Sequence, residues 1–230
     1  MTGPAINWES IRLVVFDVDG TLYNQKTLRL RILKDLLGHT IASRSLETLM
    51  ILRLYRKLRE TIGKQEIDGF ERVLLARTAQ KAGVEQAKVQ SLVHEWMEQR
   101  PLAHIRACRY PHVVELFAAL KSRNKIIGIF SDYPAVEKLR AMDLKADIIV
   151  SAIDENVGIL KPNPRGLAVI MAAAGVGPQE TILIGDRTER DGEAALRAGT
   201  ASLIRSNKPI KGWSCFANYA APQFSLLLDS

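Results

Sequence analysis

Asp17 and Asp19, Ser131, Lys161, Asp186 and Asp191 each follow an apolar run, and together they could do chemistry. Asp17, Asp186 and Asp191 are hard oxygen donors of the kind Mg²⁺ takes. Lys161 offers a compact cation and Ser131 a hydroxyl donor, both suited to phosphate oxygens. Gly20 and Thr21, directly after the paired acids, make a turn small enough for backbone N–H groups to approach an anion. The set suits phosphoryl transfer. One carboxylate attacks phosphorus, metal and lysine neutralise the equatorial oxygens, and the second acid, two residues on, protonates the leaving oxygen. Taken singly, each residue has a plainer role: two solvated acids in a turn, a capping serine, a surface lysine before proline, a charged helix start at GDRTERDG. Their joint occurrence in this order separates them from those readings.

The elements that must position these residues read as follows. Leu13 to Phe16, four unbroken apolar residues, predict a strand buried on both faces and hence the interior of a parallel sheet. Strands are expected at Ile126 to Phe130, Asp147 to Ala152, Thr181 to Ile184 and, last, Ala201 to Ile204. Helices are expected at Val113 to Arg123, Pro134 to Met142, Arg165 to Ala174 and Gly192 to Ala198. Such alternation implies βαβ units and a doubly wound, mostly parallel α/β sheet, with the site beyond the carboxyl ends of the strands.

Between the first two strands the pattern is helical. Leu30, Leu33, Leu36, Leu37 and Ile41, then Leu46, Leu49, Leu52, Leu54 and Leu58, recur at three- and four-residue spacing as an amphipathic helix from Leu28 to Leu58. A break is expected at Gly63. Further helices are expected over Phe70 to Ala82, stopped by Gly83, and over Glu85 to Gln99, stopped by Pro101. The expected division is a core of residues 1–24 and 106–230 with an all-helical insertion, 25–105. In the tail, Trp213, Phe216 and Tyr219 have the spacing of a short helix, and Phe224 to Leu228 is apolar enough to dock on an edge of the core.

Composition sets outer limits. A chain of 230 residues, 47% hydrophobic, can hold a full α/β core and a smaller accessory unit. No apolar run reaches the length of a transmembrane segment, and the N-terminus lacks a secretory pattern, so a cytoplasmic location is expected. Cys108 and Cys215 are too few for a disulfide framework. Residues 26–107 carry 16 Lys and Arg against 9 Asp and Glu, while the rest of the chain has 16 of each, so the net charge of +7 lies in the helical segment. That basic face can attract an anionic substrate or surface, and Arg53, Arg56, Lys57 and Arg59 are the candidates for a second anionic group. No nucleic-acid-binding motif or aromatic stacking pattern accompanies it. His39, His94, His104 and His112 are scattered and read as structural.

Four motifs, FDVDGTLY at 16–23, IFSD at 129–132, KPNP at 161–164 and GDRTERD at 185–191, make the chain resemble the haloacid dehalogenase-like (HAD) hydrolase superfamily. The resemblance implies a Rossmann-like core with a helical cap and a Mg²⁺-dependent phosphatase acting on a small phosphorylated metabolite. It implies Asp17 as the nucleophile that forms an aspartyl-phosphate and Asp19 as general acid and then base. It also implies Ser131 and Lys161 as phosphate ligands, and Asp17, the backbone carbonyl of Asp19, Asp186 and Asp191 as the metal site. Asp19 separates phosphatases from the superfamily's dehalogenases, which lack a carboxylate there. A phosphomutase of the β-phosphoglucomutase type, sharing all four motifs, and a non-catalytic regulatory descendant are the alternatives; a monomer or homodimer is expected. Asp132, where many relatives carry Asn, departs from the pattern and is expected to point away from phosphate or to pair with a cation such as Arg187.

Overall fold

Leu13–Phe16 forms β1, and none of its four side chains is exposed. Val14 and Phe16 enter the core on one face of the sheet, Leu13 and Val15 the core on the other. Burial of such side chains stabilises by roughly 1.5–3 kcal/mol each. The computed structural model describes residues 6–228. It adds β2 (Ile126–Ser131), β3 (Ile148–Ser151), β4 (Thr181–Gly185), β5 (Ala201–Arg205) and β6 (Cys215–Phe216) in the order β3-β2-β1-β4-β5-β6. Each neighbouring pair is parallel, with Leu13 opposite both Ile126 and Thr181. The chain winds from β1 through β2 to β3, then returns to the other side of β1, so the strand order reverses beside β1. That is where a doubly wound sheet opens a crevice.

The stretch between β1 and β2 is helical: α1 (Gln25–Ser43), α2 (Glu47–Gln65), α3 (Phe70–Ala82), α4 (Gln86–Val93) continued by π-type turns to Gln99, α5 (Leu102–Ile105) and α6 (Val113–Ser122). Asn24 caps α1, its side chain accepting from Thr27 N at 3.0 Å. Three expectations need correction here. The stretch from Leu28 to Leu58 is two helices, separated where Arg44 takes a left-handed conformation. The buried stripe of α1 is Leu28, Ile32 and Leu36, whereas Leu30, Leu33, Leu37 and Ile41 are exposed. Gly63 does not end a helix: α2 runs through it to Gln65, and the chain turns at left-handed Glu66.

The core is completed by α7 (Val136–Ala141), α8 (Arg165–Ala174), α9 (Glu193–Ala198) and α10 (Ser225–Leu228). The tail also differs from expectation. Ala201–Arg205 is not the last strand, because Cys215–Phe216 pairs with it, Ile204 N donating to Ser214 O at 2.8 Å. Trp213, Phe216 and Tyr219 therefore lie around a strand and not on a helix. Phe216, Tyr219 and Phe224 pack ring against ring with centroids 5.0–5.6 Å apart, and Trp8 stacks on Phe224 at 5.9 Å. Aromatic contact energy thus fixes the tail to the sheet edge. The Tyr219 hydroxyl donates to Thr21 O at 2.8 Å, tying the tail to the turn after β1.

Candidate active site

Asp17 lies one residue past β1, and its N–H still pairs with Ile184 O at 2.9 Å, so the acid is held at the strand end. Both carboxylate oxygens are engaged: Thr21 Oγ1 donates to Oδ2 at 2.8 Å and Lys161 Nζ to Oδ1 at 2.6 Å. The four-residue spacing recurs at the second acid, where the Tyr23 hydroxyl donates to Asp19 Oδ1. Lys138, from α7, donates to both Asp19 oxygens at 2.7 Å. Gly20 makes this turn possible. Its φ is +105°, and a Cβ there would sit 2.3 Å from Asp186 Oδ2.

Lys161 is buried, and its ammonium bridges Asp17 Oδ1 and Asp191 Oδ1, each at 2.6 Å, while also reaching Phe130 O at 3.1 Å. Asp191 Oδ2 accepts from the N–H groups of Asp186 and Arg187 at 3.2 and 3.0 Å, closing the turn that follows β4. One oxygen each from Asp17, Asp186 and Asp191 lies within 4.8 Å of the others, a grouping that could hold a hard cation. Electrostatics fit that reading. Burial, opposed by Lys161 but reinforced by Asp191, Asp186 and Asp19, pushes the Asp17 carboxyl well above the usual range. Burial and Asp191 raise Asp186 to about 7. Burial works against the charge of Lys161, but Asp17 and Asp191 more than offset it and keep the ammonium protonated. At Asp19, burial is outweighed by Lys138, with help from Tyr23, and the carboxyl is held below its usual range.

Asp17, Asp19, Lys161, Asp186 and Asp191 line one cleft of about 60 Å³. Ser131 ends β2 fully buried, its Oγ accepting from Tyr133 N at 3.2 Å, and the Thr21 hydroxyl is directed to Asp17. Asp132 lines the same cleft, and its Oδ1 accepts from Lys161 N–H at 3.1 Å. Its expected pairing with Arg187 is not found: Arg187 reaches Glu60 of the helical stretch at 3.1 Å and Glu189, two residues on, at 2.9 Å. Asp132 is thereby a brace for the backbone of the lysine.

Lys138 and Tyr23, the partners of Asp19, were not anticipated from the sequence. The i,i+4 spacing from Asp19 carries a signal for Tyr23; nothing marks Lys138, 119 residues away along the chain. Arg190 was also not anticipated. It is buried, donates to Lys161 O and Glu60 Oε2, and lies against Gly63, where a Cβ would stand 2.2 Å from its guanidinium. Two further core arginines reach acids at the end of α2 and beyond: Arg197 meets Glu66 at 2.5 Å and Arg165 meets Asp68 at 2.6 Å. Of the basic candidates, Arg59 is buried between Phe70 and Tyr133 and donates to Asp132 O.

Residues 11–199 match the model of the haloacid dehalogenase-like hydrolase family. The glyceraldehyde 3-phosphate phosphatase of Methanopyrus kandleri is 30% identical over 206 residues, 86% of this chain and 85% of that protein. The phosphoglycolate phosphatase of Escherichia coli is 28% identical over 97 residues, 41% of this chain and 38% of its own. In fold, the chain is similar to the magnesium-bound HAD-hydrolase YfnB of Bacillus subtilis, with a TM-score of 0.68 at 15% identity over 96% of this chain and 99% of that one.

Proposed function

The chain belongs to the haloacid dehalogenase-like hydrolases, as a phosphatase, and we propose that it is a Mg²⁺-dependent enzyme that hydrolyses a small phosphorylated metabolite through a phosphorylated Asp17. The observation that carries this reading is the cluster of Asp17, Asp186 and Asp191, in which the single ammonium of Lys161 bridges the buried Asp17 and Asp191. Three acids against one lysine leave excess negative charge, and hard carboxylate oxygens are what Mg²⁺ selects. Asp17, Asp186, Asp191 and the backbone carbonyl of Asp19 would hold the ion, which supplies charge neutralisation to the phosphoryl group.

The chain's own residues do the rest. Thr21 and Lys161 fix the Asp17 carboxylate in one orientation, so attack on phosphorus starts from a preorganised nucleophile. Lys161, braced through its backbone by Asp132 and Arg190, keeps its positive charge beside the transferred group; Ser131 and the backbone of the Gly20 turn are the further candidates for phosphate donors. The Asp19 carboxylate, ionised in the resting protein by Lys138, is in the form that takes a proton from water when the phospho-aspartate is hydrolysed. An incoming phosphate dianion raises the proton affinity of Asp19, which prepares it to protonate the leaving oxygen. The helices of residues 25–105 act as a cap over the strand ends, excluding water.

A panel of phosphomonoesters assayed with Mg²⁺ and with a chelator tests this reading. Release of inorganic phosphate that requires Mg²⁺, lost on chelation and restored on readdition, is the expected result. Absence of turnover across the panel, or isomerised sugar phosphate in place of free phosphate, overturns it.

A further inference from the structure

Two cavities adjoin the catalytic cleft beneath α1 and α2. The first, about 50 Å³, is bounded by Asp19, Arg29, Arg56, Trp96, Tyr133 and Lys138 among others. The second, about 240 Å³, shares Arg29, Arg56 and Trp96 and adds Arg53 among apolar walls. Arg29 also lines the cleft that contains Asp17 and Lys161, so the spaces are neighbours.

Charge in this pocket is one-sided. Arg29, Arg53 and Arg56 make no hydrogen bond or ion pair among the described residues. The Trp96 Nε1–H is buried without an acceptor there. Asp19 is the one acid on the smaller cavity and is occupied by Lys138; the larger cavity has no acid in its lining. All three arginines are exposed to solvent at the cavity rims, whereas the Trp96 side chain is buried. A guanidinium without a protein partner is open to an anionic ligand and binds carboxylate or phosphate through two parallel hydrogen bonds, and the buried Trp96 N–H would gain an acceptor from the same oxyanion.

We propose that the leaving group of the substrate carries a second oxyanion, a carboxylate or a phosphate, bound by Arg29 and Arg56 with the Trp96 N–H beside Asp19. The inference rests on the phosphatase reading, in which Asp19 faces the leaving oxygen; the cavity that begins at Asp19 therefore receives the leaving half. It narrows the basic candidates. Arg59 is committed to Phe70, Tyr133 and Asp132 O, and Lys57 lines neither cavity, whereas Arg29, absent from the candidates named on sequence grounds, lines both.

Three matched esters test it: glycerol 3-phosphate, 3-phosphoglycerate and glycerol 1,3-bisphosphate, each assayed with Mg²⁺. The native protein should favour at least one charged ester over glycerol 3-phosphate by roughly 10- to 100-fold in kcat/KM, the range of one or two charge-assisted hydrogen bonds. Which charged ester is preferred tells a carboxylate from a phosphate. In R29M/R56M that ratio should fall towards unity, mainly through KM, and R29M and R56M singly should move it the same way. Equal use of glycerol 3-phosphate and the two esters with a second oxyanion by the native protein, or an unchanged ratio in the variants, overturns the proposal. Calorimetric titration of 3-phosphonopropionate against propylphosphonate gives a readout free of catalysis. Tighter binding of the carboxylated compound, lost in R29M/R56M, supports the subsite, and equal binding overturns it. If no ester is turned over, the phosphatase reading fails, and the phosphonate titration decides the subsite by itself.

Discussion

The strand-end site and the helical insertion balance charge in opposite ways. At the strand ends most of the acids are paired: Lys161 bridges Asp17 and Asp191, and Lys138 clasps Asp19, leaving Asp186 as the acid without an ion pair among the described residues. The insertion is divided. Three of its nine acids, Glu60, Glu66 and Asp68, meet the core's Arg187, Arg190, Arg197 and Arg165. Arg29, Arg53 and Arg56, around the cavities, meet no acid among the described residues. A sequence-level surplus of positive charge thus resolves into a docking edge where acids are used up and a cleft where arginines remain open. Preorganised charge serves a reaction that is always the same, and unpartnered charge is available to a ligand.

Substitutions can break this contrast. The largest effect is expected from D17N, which removes the proposed nucleophile and leaves the insertion untouched. Phosphate release should fall by about ten-thousand-fold or more, with an unaltered circular dichroism spectrum and retained phosphonate binding. Substantial residual turnover would remove Asp17 from its role. K138M comes next, because it removes the cation that clasps Asp19 and leaves that buried carboxylate without its ion pair. With Lys138 gone, burial raises the Asp19 carboxyl. Activity that needs ionised Asp19 is present above its pKa and lost below it, so the acid limb of the pH–rate profile should move upward, with kcat lower by roughly 100-fold at neutral pH. An unmoved limb would show that Lys138 does not tune Asp19. G63A has the smallest expected effect and tests the seam. Its methyl group displaces the Arg190 guanidinium, which joins Glu60 to the carbonyl of Lys161. A loss of about 1–3 kcal/mol, read as a fall in Tm of roughly 2–10 °C, is the expected outcome. An unchanged Tm would mean that Arg190 relocates without cost.

What was legible in advance follows from how local each signal is. β1 and its acids could be read because a four-residue apolar run and the charge that ends it are contiguous, and the Asp17–Thr21 and Asp19–Tyr23 contacts span a single turn. Gly63 misled because glycine in a helical pattern reads as a break, whereas here it serves a close approach by a residue 127 positions later. The tail misled because three-residue aromatic spacing can describe a helix or, as at Phe216 and Tyr219, a strand and the turn after it.

By itself the sequence determined the α/β alternation, the order of the strand-end motifs and so the class of reaction, because strand periodicity and motif spacing are properties of neighbouring residues. The tertiary structure decided the partners. Lys138 meets Asp19, Arg190 lies against Gly63, and Arg29, Arg56 and Trp96 come to share a pocket, because crossovers and helix docking bring together groups far apart in the chain. Whether a charge is paired or open depends on such long-range placement, which composition cannot reveal.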